Sequence, residues 1–76
     1  MALSQAQLGK LYIVTDIQLS EDVQRRLRTL GLTNRTPLRI LGKNRSGAVI
    51  ISFRGSRFAL GRRFADGIFV KGGDAK

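Results

Sequence analysis

"AVIISFRGSRFALGRR", residues 48–63, decides the fold class. Apolar residues alternate with small or basic ones on both sides of Gly55-Ser56, and a glycine between two alternating runs signals a β-hairpin. The reading predicts strands over 48–54 and 57–62, joined by a two-residue turn at Gly55-Ser56. Pairing outward from that turn sets Phe53 against Phe58 and Ile51 against Leu60, and brings Val49 near Arg62. Val49, Ile51, Phe53, Phe58 and Leu60 then form a core side, while Ile50, Ser52, Arg54, Arg57, Ala59 and Gly61 face away. Arg54 falls opposite Arg57, a mildly destabilising arrangement in an antiparallel ladder. The apolar residues explain the hairpin; they do not explain its arginines.

Upstream, "LGKLYIVTDI" (8–17) gathers Tyr, Ile, Val and Thr after a glycine and predicts a strand over 10–16. Ser20 followed by Glu21 and Asp22 is a helix start. The hydroxyl can cap free backbone N–H groups, and the acids complement the positive end of the helix dipole. Val23, Leu27 and Leu30 make one narrow apolar stripe, with Gln24, Arg25 and Arg28 on the other side. Gly31 supplies the left-handed stop, and Leu32 is placed to fold back on Leu27. A helix over 20–30 follows. "TNRTP" (33–37) is a turn, "PLRIL" opens the second strand, "GKNRSG" (42–47) is a solvent loop and "GIFVK" (67–71) is the last strand. Five short strands with one helix between the first and second predict a mainly β fold, a small barrel or roll whose closure removes the edges. One domain spans 1–76, with its core over 8–71 and a disordered tail over 72–76.

Fourteen lysines and arginines against five acids give a net charge of +9, which favours an acidic partner: nucleic acid, an anionic membrane surface or an acidic protein face. The chain has no Cys and no His, so disulfide frameworks, zinc fingers and thiol chemistry are excluded. Of Asp16, Glu21, Asp22, Asp66 and Asp74, only Glu21 and Asp22 are adjacent, and neighbours on a helix point apart. They make neither a carboxylate dyad nor a hard-metal site. No serine has a histidine partner, and "GKNRSG" lacks the Gly-Lys-Ser/Thr ending of a phosphate loop. The expectation is a non-enzyme with no cofactor and no metal site. The N-terminus lacks a signal peptide's basic-then-apolar pattern, and "AVII" falls far short of the about 20 apolar residues that span a bilayer. A soluble, cytoplasmic protein without membrane insertion is expected.

Two readings of the hairpin arginines stand side by side. They are solubilising charges, whose repulsion water and salt screen, or they rim a docking face. In the second reading Ile50, Ala59 and Gly61 form a flat centre, and Arg54, Arg57 and Arg62 supply donors for a partner's carboxylates or phosphates. Nucleic acid is the rival partner, since small basic barrels bind RNA or single strands through arginines and exposed aromatics. Phe53 and Phe58 are needed in the core; Tyr12, Phe64 and Phe69 are undecided. Small barrels also associate through edge strands, so a dimer or trimer is compatible with the chain.

In order and spacing, "LSQAQLGKLYIVTDI", "RRLRTLGLTNRTPLRIL" and "AVIISFRGSRFALGRRFADGIFV" resemble the FeoA family of ferrous iron transport proteins over residues 3–71. The most specific pieces are R-x-L-G-L-T at the helix end and R-G-x-x-x-x-L-x-R in the hairpin, running into A-x-x-I-x-V. The resemblance implies an SH3-like five-stranded barrel with a helix after the first strand. It also implies a small accessory protein that contacts the cytosolic GTP-binding region of the membrane ferrous iron transporter, FeoB. The family is linked to transition-metal handling, but the resemblance makes this chain neither an iron carrier nor an enzyme. The same fold serves as a C-terminal domain of iron-dependent repressors, whose DNA-binding half this sequence lacks. Two departures stand out. Asn34-Arg35 replaces the family's Pro-Gly, with Asn34 expected to take the left-handed conformation, and "GKNRSG" replaces a loop resembling "PLGDP".

Overall fold

The computed structural model describes residues 1–73. A single 3₁₀ turn, Leu3–Gln5, precedes β1 (Leu11–Ile17), α1 (Glu21–Leu30), β2 (Pro37–Lys43), β3 (Val49–Phe53), β4 (Ser56–Leu60), α2 (Arg62–Gly67) and β5 (Ile68–Gly72). The five strands form one antiparallel sheet in the order β4-β3-β2-β1-β5. This is the mainly β, SH3-like architecture that the sequence predicts, with its helix between the first and second strands. The second short helix, α2, was not expected.

Local signals build α1 as read. Ser20 Oγ accepts from the Val23 N–H at 3.4 Å, Gly31 closes the helix at φ 95°, and the Leu32 N–H returns to the Leu27 carbonyl at 2.8 Å. Of the apolar stripe, Leu27 is buried and Val23 packs against the core, but Leu30 stays 46% exposed. It sits in the last turn and lines a groove with Leu60 and Phe64. The core lies inside the curl of the sheet. Tyr12, Val14, Leu38, Ile40, Val49, Ile51, Phe53, Ile68 and Val70 are buried there, and Leu27, Leu32 and Ala65 reach in from the helices and their flanks.

The hairpin register differs from expectation. The turn is Arg54-Gly55, with φ 54° and 79°, and the pairs run Phe53–Ser56, Ser52–Arg57, Ile51–Phe58, Ile50–Ala59 and Val49–Leu60. Positive φ at both central residues is the type I′ hairpin turn, whose twist matches that of the strands. A non-glycine residue in that conformation costs about 1–2 kcal/mol. The register compensates by pairing Val49 with Leu60 rather than with Arg62 and by removing the Arg54–Arg57 opposition. It also ends β4 at Leu60, which frees the following residues to form α2 and bury Ala65. Because the register shifts by two, the residues that remain in the ladder, Val49 to Phe53 and Arg57 to Leu60, keep the faces assigned to them, while Arg54 passes into the turn and Gly61 out of the strand.

No ladder joins β4 to β5 among the described residues, so the roll is not closed by strand pairing as expected. α2 bridges the gap, and the N-terminal segment covers the outer edge of β5. The Met1 ammonium donates to the Val70 carbonyl at 3.1 Å, and the Val70 N–H donates to the Met1 carbonyl at 2.8 Å. The expected loop at 42–47 begins later, because Gly42 and Lys43 complete β2; Asn44 organises the remainder, its Oδ1 accepting from Ser46 and Ala48. The expected tail at 72–76 is corrected at its start: Gly72 ends β5, and the Gly73 N–H donates to the Leu11 carbonyl at 3.0 Å. Residues 74–76 lie outside the described residues.

In the turn after α1, the left-handed residue is Arg35 (φ 73°) rather than Asn34, and the Thr36 N–H closes the turn on the Thr33 carbonyl at 3.2 Å. This is the third position of a type II turn, where glycine is preferred. Arg35→Gly relieves the left-handed strain at some cost in unfolded-state entropy, so the expected gain is about 0.5–1 kcal/mol. A thermal melt checks it: the midpoint should rise by a few degrees, not fall.

Candidate functional site

The outer face of β2, β3 and β4 is built from two rows. Antiparallel pairing aligns Arg39, Ser52 and Arg57 in one, and Gly42, Ile50 and Ala59 in the other. A bulge between Ile40 and Gly42 leaves Leu41 beside them, 44% exposed. The second row is flat and apolar, with Ile50 38% exposed; the first is a serine between two guanidinium groups. Arg39 was not among the candidate residues. Alternation in "PLRIL" already turned it away from the core, but only the β2–β3 register sets it in line with Arg57.

Three of the six candidates, Ile50, Arg57 and Ala59, share this face. The other three lie off this face, though all are exposed. Arg54 sits in the turn, and its stem lies against Gly31, where a Cβ would stand 3.3 Å from Arg54 Cδ. Its charge therefore lies near the carbonyl end of α1, which favours a cation. Gly61 is the N-cap of α2, not a hairpin residue. Arg62 opens α2, lies over Gly47 and reaches Asp66 at 3.6 Å.

Charge is segregated along the chain. No Asp or Glu occurs between Asp22 and Asp66, while eleven of the 14 lysines and arginines do. The acids at the borders of this stretch are engaged: Asp22 with Arg25 at 3.8 Å, Glu21 with Arg28 at 3.7 Å, and Asp66 with Arg62. Asp16 accepts from the Ile17 N–H at 2.9 Å and from Gln18 at 3.0 Å. Arg57 and Arg63 form no ion pair among the described residues. That acid-free stretch is legible in the sequence, and it leaves the outer sheet face with arginines beside its apolar row and no carboxylate.

The aromatics are mostly committed elsewhere. Tyr12 and Phe53 are buried, Phe58 and Phe69 are half-buried, and only Phe64, at 38%, is exposed among the described residues. Phe64 belongs to an apolar groove with Val23, Leu27, Leu30 and Leu60, bordered by Arg26. Among the described residues no three carboxylates, histidines or cysteines come together. What the surface offers chemically is therefore guanidinium donors, flat apolar area and strand backbone.

The FeoA domain model matches residues 1–72. No curated protein matches the chain. Among solved structures, the FeoA protein from Chlorobium tepidum superposes with a TM-score of 0.86 at 30% identity, over 95% of this chain and 70% of that one. An iron uptake regulatory protein (FeoA) superposes at 0.81 with 31% identity, over 93% of each chain. A manganese-dependent transcriptional repressor shares the fold, with a TM-score of 0.86 at 20% identity over 95% of this chain and 41% of the repressor. Sequence, strand order and superposition agree, and the chain belongs to the FeoA family.

Proposed function

We propose that this protein is a small cytoplasmic accessory protein of ferrous iron uptake that acts by contact with the cytosolic GTP-binding region of the membrane transporter FeoB. Family membership supports the role in iron uptake, and the two-row outer face of β2–β3–β4 carries the mode of action. Flat apolar area from Ile50, Ala59 and Gly42 beside Arg39 and Arg57 suits a protein surface bearing carboxylates. No helix among the described residues is long and apolar enough to cross a membrane. Among the described residues no cluster of carboxylates, histidines or cysteines is present, and the mode of action proposed is contact. The exposed aromatics that a nucleic-acid reading needs are reduced to Phe64, which faces the groove rather than the basic rows.

The test is an amide titration of labelled protein with the transporter's GTPase domain and, separately, with single-stranded RNA, each at low and at physiological salt. Saturable shifts on residues 50–59 with the GTPase domain are expected to persist at physiological salt. The double substitution Arg39→Glu and Arg57→Glu should weaken that binding at least about tenfold. Both side chains are exposed, but Arg39 Nη1 donates to the Gly9 carbonyl at 2.8 Å and the substitution removes that bond, so stability should fall by about 1–2 kcal/mol. Shifts with RNA alone, fading steeply as salt rises, would assign the charge to nucleic acid instead.

A further inference from the structure

We propose that the free edge of β4 is a strand-addition site for an extended acidic segment, whose alternate side chains enter the Leu60–Phe64 groove. β4 is an outermost strand of the sheet. In a hairpin closed by a two-residue turn, the flanking pair Phe53–Ser56 is hydrogen-bonded, and hydrogen-bonded pairs alternate from there. The N–H and C=O groups of Arg57 and Ala59 therefore point away from β3, and no other bond to them is present among the described residues. The opposite edge of the sheet differs, since the Met1–Ala2 segment already bonds to β5. β4 thus keeps two open rungs that β5 does not.

Three features define the occupant. Two open rungs call for an extended backbone. A strand laid there turns alternate side chains toward the core side of β4, where Leu30 and Phe64 leave apolar surface exposed around Leu60. Its other side chains fall beside Arg57, in the acid-free part of the chain, where glutamate or aspartate is complementary. The segment is therefore extended, with acidic and apolar residues alternating. A second copy of this chain does not fit that description, because its β4 edge offers Arg57 and no carboxylate, so pairing two such edges would bring like charges together.

The proposal rests on the hairpin being a contact surface, not on which protein supplies the segment. The probe is an acetylated heptapeptide alternating glutamate with leucine and valine, added to the labelled full chain at physiological salt. Expected are saturable shifts at the Arg57 and Ala59 amides, with hydrogen exchange there slowed by about tenfold or more. Methylating the peptide's edge-facing amides should abolish binding. Ala59→Pro should do the same while keeping a dispersed spectrum, since the lost N–H points to solvent and edge strands tolerate proline there. If that variant does not fold, the methylated peptide decides the same point.

No binding of the parent peptide, undiminished binding of the methylated peptide, or shifts at Leu30 and Phe64 without amide protection would each overturn the proposal. So would equal binding of a lysine-for-glutamate peptide, a dimer through β4 in sedimentation, or RNA binding at the edge in place of the peptide. Peptide binding without a response to the GTPase domain removes the transporter assignment and leaves the edge site standing. A GTPase response without peptide binding does the reverse.

Discussion

Replacing Ile51 with alanine is expected to remove at least about a third of this protein's stability. Ile51 is fully buried at the centre of β3, paired with Ile40 on one side and Phe58 on the other. Deleting a buried isoleucine to alanine costs about 2–5 kcal/mol, the upper part applying where neighbours cannot close over the cavity. Here they are held by two ladders and by the Phe53–Phe58 ring pair, whose centroids are 5.2 Å apart, so about 4 kcal/mol is expected. At ~0.05–0.15 kcal/mol per residue, a 76-residue domain has a total stability of about 4–11 kcal/mol. The thermal midpoint by circular dichroism should fall by about 20 °C. A drop of only a few degrees would show that the core collapses readily around this site. Leu41→Ala, on the exposed bulge, should change stability by less than about 0.5 kcal/mol and serves as the matched control.

The second large effect is expected at Gly67, which ends α2. A Cβ there would strike the Leu19 side chain and stand 2.9 Å from the Gln18 carbonyl oxygen. The leucine can turn away; the carbonyl cannot, because the Gln18 N–H is bonded to the Gly67 carbonyl at 2.7 Å and holds the two backbones together. Gly67→Ala should therefore separate α2 from the end of β1 and cost about 3 kcal/mol. In urea, with a slope of about 1 kcal/mol per molar, the midpoint should move down by about 3 M. Gly72→Ala meets nothing within 4 Å and should be nearly silent. Equal behaviour of the two variants would mean that the contact at Gly67 is not what requires glycine.

Short-range chemistry was legible from residues alone. Ser20, the acids after it and Gly31 bounded α1, and alternation assigned the inner and outer faces of the hairpin residues that pair in the ladder. Those assignments survive a wrong turn because side-chain direction has a period of two and the register was displaced by two. Where the stems of Arg54 and Arg62 lie is not legible, since nothing in the sequence reveals that Gly31 and Gly47 lie beneath them. Arg35, similarly, takes the left-handed position although Asn34 has the better intrinsic preference, because the neighbouring strands set where the chain must turn.

By itself, then, the sequence determined the class of fold, the helix, the faces and a basic surface without carboxylates. The tertiary structure decided the hairpin register, the existence of α2, the alignment of Arg39 with Ser52 and Arg57, and the open rungs at Arg57 and Ala59. Caps and alternation act over a few residues and can be read locally. Register is chosen by the total burial of residues far apart in the chain, Val49 with Leu60 and Ala65 in the core, and a positive φ at Arg54 is tolerated because that burial outweighs it.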